Sequence, residues 1–246
     1  MKDFIFGFKS FFVGLSWIKK YNLWKYVLFP ATLALLVAVS CIYYLHTILY
    51  GAMKQIFLYI QSNLQFEFIK NISTSETFFE FSSYLFSILL YLIFQRTIQS
   101  ILILPFLGFL AERLEEIHLG KKNSLPWKEE VRNISIGIFY SFLYSILGLI
   151  IFILGFFIGP LQILLVLIVQ SYILGKGSID YFLERNYKTI YERDKKIGKM
   201  LLPTFGLGLA QFLIQFIPFL GIFIALSSSV IGASIIYYRE QSTQES

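Results

Sequence analysis

Two long stretches of this chain carry no charge. Residues 133–175, between Arg132 and Lys176, run for 43 residues without an acid or a base, and residues 200–238, between Lys199 and Arg239, run for 39. A membrane-crossing helix needs roughly 20 apolar residues, so each run is about twice one crossing. Each is broken near its middle, the first by Gly159 and Pro160, the second by Pro218 with Gly221. Glycine relaxes the backbone and proline removes a helix donor, so a helix turns there. The pattern predicts two Pro/Gly-broken helical hairpins, 134–175 and 200–238, that enter a membrane and return to the same side.

Composition agrees. Charged residues are 15% of the 246 and hydrophobic ones 57%, where soluble domains carry about 25% charge. We expect an all-α, multi-span integral membrane protein, with residues 1–246 as one membrane domain. The net charge of +6 is also found in nucleic-acid binders, but here the basic residues border apolar spans. Anionic headgroups of the bilayer are the expected partner, and nucleic acid is not. Cys41 stands alone inside an apolar run, so no disulfide framework and no zinc site are expected. No cleavable signal peptide is read at the start of the chain.

Residues 3–20 read as an amphipathic helix lying at the interface. Phe4, Phe8, Phe11, Phe12, Leu15 and Ile18 share one face, with Asp3, Gly7, Ser10 and Gly14 opposite. A helix packed on the rest of the protein is the alternative. Residues 27–109 hold two long spans, about 27–50 and 81–109. The apolar period of the first continues to Leu64, so that helix is expected to project past the bilayer, with 61–80 as its connection to the second. The tail after Tyr238 is polar and expected to be disordered. The hairpin arm 161–175 is only about 22 Å long at 1.5 Å per residue, short of a 30 Å core, so at least one hairpin is a candidate for partial insertion.

Basic residues orient the whole. Lys plus Arg number five in residues 1–25, two in 51–80, five in 111–133 and seven in 176–199. With both termini cytoplasmic, every basic-rich connection lies inside and the poor one outside.

Arg96 is the sharpest single residue. It lies about halfway along the second span, with Gln95 beside it and Gln99 and Ser100 at i+3 and i+4. An intramembrane arginine needs water, a partner or an anion, so these four form either an anion path or a polar hub between helices. Gln170, Gln211 and Gln215 supply neutral amides in the hairpins, lining the same route or gluing helices. Glu112, Arg113, Glu115 and Glu116 follow the second span, and Asp180, Glu184 and Arg185 follow the first hairpin. They read as a cytoplasmic salt-bridge cluster or a gate. No HExxH, Walker A or Gly-x-Ser-x-Gly is present, and the two histidines, His46 and His118, fall on opposite sides in this topology, so no metal, cofactor or enzymatic activity is expected.

Three segments resemble the sulfate-permease-like family of bacterial membrane proteins that also includes the eukaryotic etoposide-induced 2.4 proteins. One is the entry, with Gly7, Gly14, the basic-aromatic link Lys19 to Tyr26, and Pro30. The next is LPFLGFLAERLEEIHLG. The last runs from SIDYFLERN through GLG and the Ile-Pro turn to the closing GAS. The resemblance implies two long spanning helices with partly inserted hairpins, assembly into homo-oligomers, and sulfate uptake across the inner membrane. It falls on Glu115 or Glu116 and on Asp180, Glu184 and Arg185. The chain departs at Gly221, where the sulfate-permease branch tends to place Asn followed by a second Pro. Transport of a small inorganic anion, sulfate first, is therefore weighed against a non-transporting membrane-organising or scaffold role.

Overall fold

A computed structural model describes residues 1–63, 76–120, 125–159, 161–215, 217 and 221–244, and some side chains within these stretches lie outside the description. Among the described residues the structure is helical, with no strand. The helices are α1 (Lys2–Lys20), α2 (Trp24–Asn63), α3 (Glu76–Leu119), α4 (Trp127–Ile158), α5 (Leu161–Asn186), α6 (Ile190–Lys199), α7 (Leu201–Gln215) and α8 (Leu226–Gln244). A π-helical turn, Gly221–Ala225, leads into α8.

Helices α2 and α3 run side by side. At 40 and 44 residues they are about 60 and 66 Å long, twice a bilayer core. The first is helical well past Tyr50, to Asn63, as the apolar period there predicted. Pro30 lies inside α2 without ending it. Trp24–Ile56, Trp127–Ile151 and Leu161–Asn186 are each long and apolar enough to cross a membrane. Helices α6 and α7 pass the same test only together and meet at 90°.

Small residues bring α1 close to its neighbours. Gly7, Ser10 and Gly14 of α1 are buried, and α1 packs on α7 and α8. A Cβ at Gly206 would overlap the carbonyl oxygen of Phe4, and one at Gly14 would overlap that of Ser228. Backbones in contact gain dispersion and lose no rotamer freedom, the usual basis of membrane helix packing. The face predicted to look away from the bilayer is thus the docked one. The predicted apolar face divides: Phe11 and Ile18 are buried, whereas Phe12 and Leu15 remain exposed beside Ile5 and Val13.

Two expectations are corrected. The arm 161–175 does not end with the uncharged run, since α5 continues to Asn186 because its charged residues find partners. The tail is helical to Gln244, where Gln241 Nε2 donates to the Tyr237 hydroxyl at 2.6 Å and Ser242 caps back onto the Arg239 carbonyl at 2.8 Å.

Candidate functional site

The close approach of α5 to α7 sets the site. A Cβ at Gly175 would overlap the carbonyl oxygen of Thr204, and one at Gly208 that of Ser171. One turn from Gly175, Ser178 is buried with its hydroxyl 3.3 Å from Gln211 Oε1 and 2.8 Å from Ser229 Oγ. The amide nitrogen of Gln211 has no hydrogen-bond partner among the described residues, although the side chain is wholly buried.

Beside this triad lies a cavity of about 150 Å³ between α3, α4, α5, α6, α7 and α8. Two cations line it, Lys176 and Arg193, with four carboxylates, Glu130, Asp180, Glu184 and Asp194. Helix α6 closes one wall and is strapped to α5 by ion pairs of opposite sense. Lys176 Nζ lies 2.6 Å from Asp194 Oδ1, and Arg193 Nη1 lies 3.3 Å from Asp180 and 3.8 Å from Glu184. Arg193 is only 2% exposed, and its Nε is unpartnered among the described residues. So are both polar atoms of Asn133 on α4, which also lines the cavity. A buried N–H without a partner costs about 1–3 kcal/mol, so three such side chains around one cavity mark it as a place for a polar occupant.

A second charged group joins α5 to the end of α3. Arg185 Nε donates to Glu115 Oε2 at 2.8 Å, and its Nη2 lies 4.0 Å from Glu112. Burial pushes the Glu115 carboxyl up from its ordinary range, and the Arg185 guanidinium opposes that shift. Arg113 pairs with Glu116 on the surface of the same helix. Nearby, His118 stacks on Tyr238 at 4.3 Å between ring centroids and lies 3.3 Å from Ser234 Oγ. Burial pushes this imidazole below its ordinary value.

The predicted residues thus separate. Glu112, Glu115 and Arg185 form one cluster, with Arg113 and Glu116 beside it. Asp180 and Glu184 belong to the cavity through Arg193. Gln211 and Gln215 both line that cavity, whereas Gln170 faces Gly148 of α4. Gln95, Arg96, Gln99 and Ser100 are on α3, and their side chains lie outside the described residues. Gly159 makes the α4–α5 turn at φ 61°, and Gly221 opens the π turn, where a Cβ would sit 2.6 Å from the Gln215 carbonyl oxygen. Pro160 and Pro218 lie outside the described residues.

Sequence reasoning missed Asn133, Lys176, Arg193 and Asp194, reading 176–199 as one charged segment. A signal was present. Thr189 and Glu192 form a capping box that opens α6, and Arg193 and Ile197 fall on the one face that is buried.

A family model described as Sulfate transporter CysZ/Etoposide-induced protein 2.4 matches residues 10–225. The chain belongs to this family. The match reaches from the buried face of α1 to the π turn and includes every cavity-lining side chain named above. Family membership and the apolar helices together make this a multi-pass membrane protein. No curated protein matches the chain significantly.

Proposed function

We propose that the protein moves a small inorganic anion, sulfate first, across the cytoplasmic membrane. Family membership over residues 10–225 carries this reading. The cavity supports it: Arg193, Gln211 and Asn133 each bring a buried N–H group without a partner among the described residues, from three different helices. A guanidinium edge with amide donors matches a tetrahedral oxyanion. The lining also sets a condition. With two cations against four carboxylates, net charge gives an anion no attraction, so N–H donors must recognise it. In this reading both termini are cytoplasmic, copies of the chain associate, and neither cofactor nor covalent chemistry takes part. Thiol labelling at Gln55→Cys from outside, and at Lys188→Cys only after permeabilisation, tests the orientation.

The second reading is a membrane-organising scaffold that transports nothing. The excess of carboxylates in the cavity favours it, as does Gly221 where the sulfate-permease branch tends to place Asn. Liposomes with labelled sulfate separate the two. Uptake well above protein-free vesicles, reduced about tenfold or more by Arg193→Gln at equal protein, is expected for transport. Uptake no greater than in empty vesicles would leave the scaffold.

A further inference from the structure

We infer that the protein binds one anionic phospholipid at the elbow between α1 and α2, with the headgroup phosphate between Lys25 and Arg113. This inference does not depend on what the protein transports.

The elbow is Tyr21–Asn22–Leu23. Asn22 takes a left-handed backbone, φ 54°, which turns the chain from α1 into α2. A polar cavity of about 410 Å³ opens there, lined by the elbow, Lys25, Tyr26, and the Arg113 and Glu116 side chains of α3. Its charges are two cations and one carboxylate, a net of +1, and Lys19 and Lys20 end α1 directly before it. Lys20 and Lys25 sit over the rings of Tyr21 and Tyr26, 5.2 and 4.9 Å from their centroids. Arg113 already gives Nη1 to Glu116, which leaves the rest of its fork for a second oxyanion.

Depth points to lipid rather than to a free anion. Lys25 precedes the exposed Leu28 and Phe29 by three and four residues, and Arg113 follows the exposed Phe109 by four. Both cations therefore lie about 6 Å beyond apolar, exposed surface, where headgroups meet acyl chains. Phe29 and Phe106 pack at 5.2 Å across the α2–α3 seam, so an acyl chain has an aromatic surface directly below the phosphate site. The exposed Ile5, Phe12, Val13 and Leu15 of α1 place that helix in the same layer. A basic cavity above an apolar seam matches a lipid with a negative headgroup.

The test uses the full chain in detergent. Phosphatidylglycerol, phosphatidylcholine with the same acyl chains, and inorganic phosphate are each added while melting is followed by tryptophan fluorescence. Phosphatidylglycerol is expected to raise Tm by roughly 5 °C more than phosphatidylcholine at saturation, and inorganic phosphate to have no such effect. Lys25→Gln should remove most of that difference and Lys25→Gln with Arg113→Gln all of it, leaving the phosphatidylcholine response unchanged. Lys2→Gln with Lys9→Gln, in the N-terminal half of α1 and away from the elbow, should keep it. Native mass spectrometry should count one retained phosphatidylglycerol in the wild type and none in the double elbow variant. Equal response to the two lipids, an effect reproduced by inorganic phosphate alone, or equal loss in the Lys2 and Lys9 variant would each overturn the inference.

Discussion

Arg185 Nε donates to Glu115 Oε2 at 2.8 Å, and the two side chains are 4% and 3% exposed. They tie α5 to the end of α3 where both helices leave their apolar stretches. Removing one partner strands the other in a poorly hydrated place, a loss of about 3–5 kcal/mol. Glu115→Gln is therefore expected to lower the melting temperature sharply. Glu116→Gln, whose pair with Arg113 is 42% exposed on both sides, should change stability by less than about 1 kcal/mol. Thermal unfolding of the two variants in one detergent checks this; similar shifts would contradict the burial argument.

The glycine contacts make a second prediction. Gly206→Ala pushes α7 from α1 and Gly208→Ala pushes it from α5, since each new Cβ would meet backbone rather than a movable side chain. Each is expected to cost about 1–3 kcal/mol or more. A Cβ at Gly51 meets nothing within 4 Å, so Gly51→Ala should stabilise α2 by roughly 0.5–1 kcal/mol. Yield of monodisperse protein and Tm read both; a harmless Gly208→Ala would mean that α5 and α7 are not in backbone contact.

The first hairpin was legible because it rests on a one-dimensional signal, the absence of charge over 43 residues, and both of its helices are long and apolar enough to cross. The small residues of α1 were visible too. Their meaning was inverted, because in lipid the apolar face need not be the buried one, and Gly7 and Gly14 are buried for their size. The pairing of Arg185 with Glu115 spans 70 positions and depends on where two helices end, which periodicity does not encode. Arg193 was overlooked for a related reason. Its partners Asp180 and Glu184 sit on the helix before it, and only the turn at 187–189 brings α6 back against them. The Arg96 group stood out because a charge in an apolar helix is easy to see. The cavity did not, because its polar lining is spread over four helices, α4, α5, α6 and α7, from Glu130 to Gln215 along the chain.

His118 gives a pH prediction. An unfolded histidine takes up its proton near pH 6.5, whereas burial beside Tyr238 makes the folded ring take it only at lower pH. Below about 6.5 the unfolded chain then binds more protons than the folded one, so stability falls as pH drops through that window and is level above it. His118→Phe keeps the stacking surface and removes the proton site. Tm measured from pH 5 to 8 should fall less steeply on the acid side in the variant; identical acid limbs would mean that this imidazole titrates as freely in the folded protein as in the unfolded one.

The strap between α5 and α6 can be tested by reversal. Asp194→Lys sets a third cation beside Lys176 and Arg193, and Lys176→Asp adds a carboxylate to a cavity wall that already carries Asp180 and Glu184. Each single change should loosen α6, although Asp194 is 48% exposed and solvent screening holds the loss for that variant to about 1 kcal/mol. The double reversal restores one pair of opposite sign with the cation on α6, next to Arg193. Recovery should be partial, because two cations then share one wall. The readout that isolates the strap is access to the cavity. Ser178→Cys, buried and on the lining, in a Cys41→Ser background, should react with a small thiol reagent slowly in the otherwise native chain. The reaction should be several-fold faster with Asp194→Lys and slow again in the double reversal. A modification rate that ignores both changes would show that α6 is held by Ile197 and the turn at 187–189 rather than by its charges.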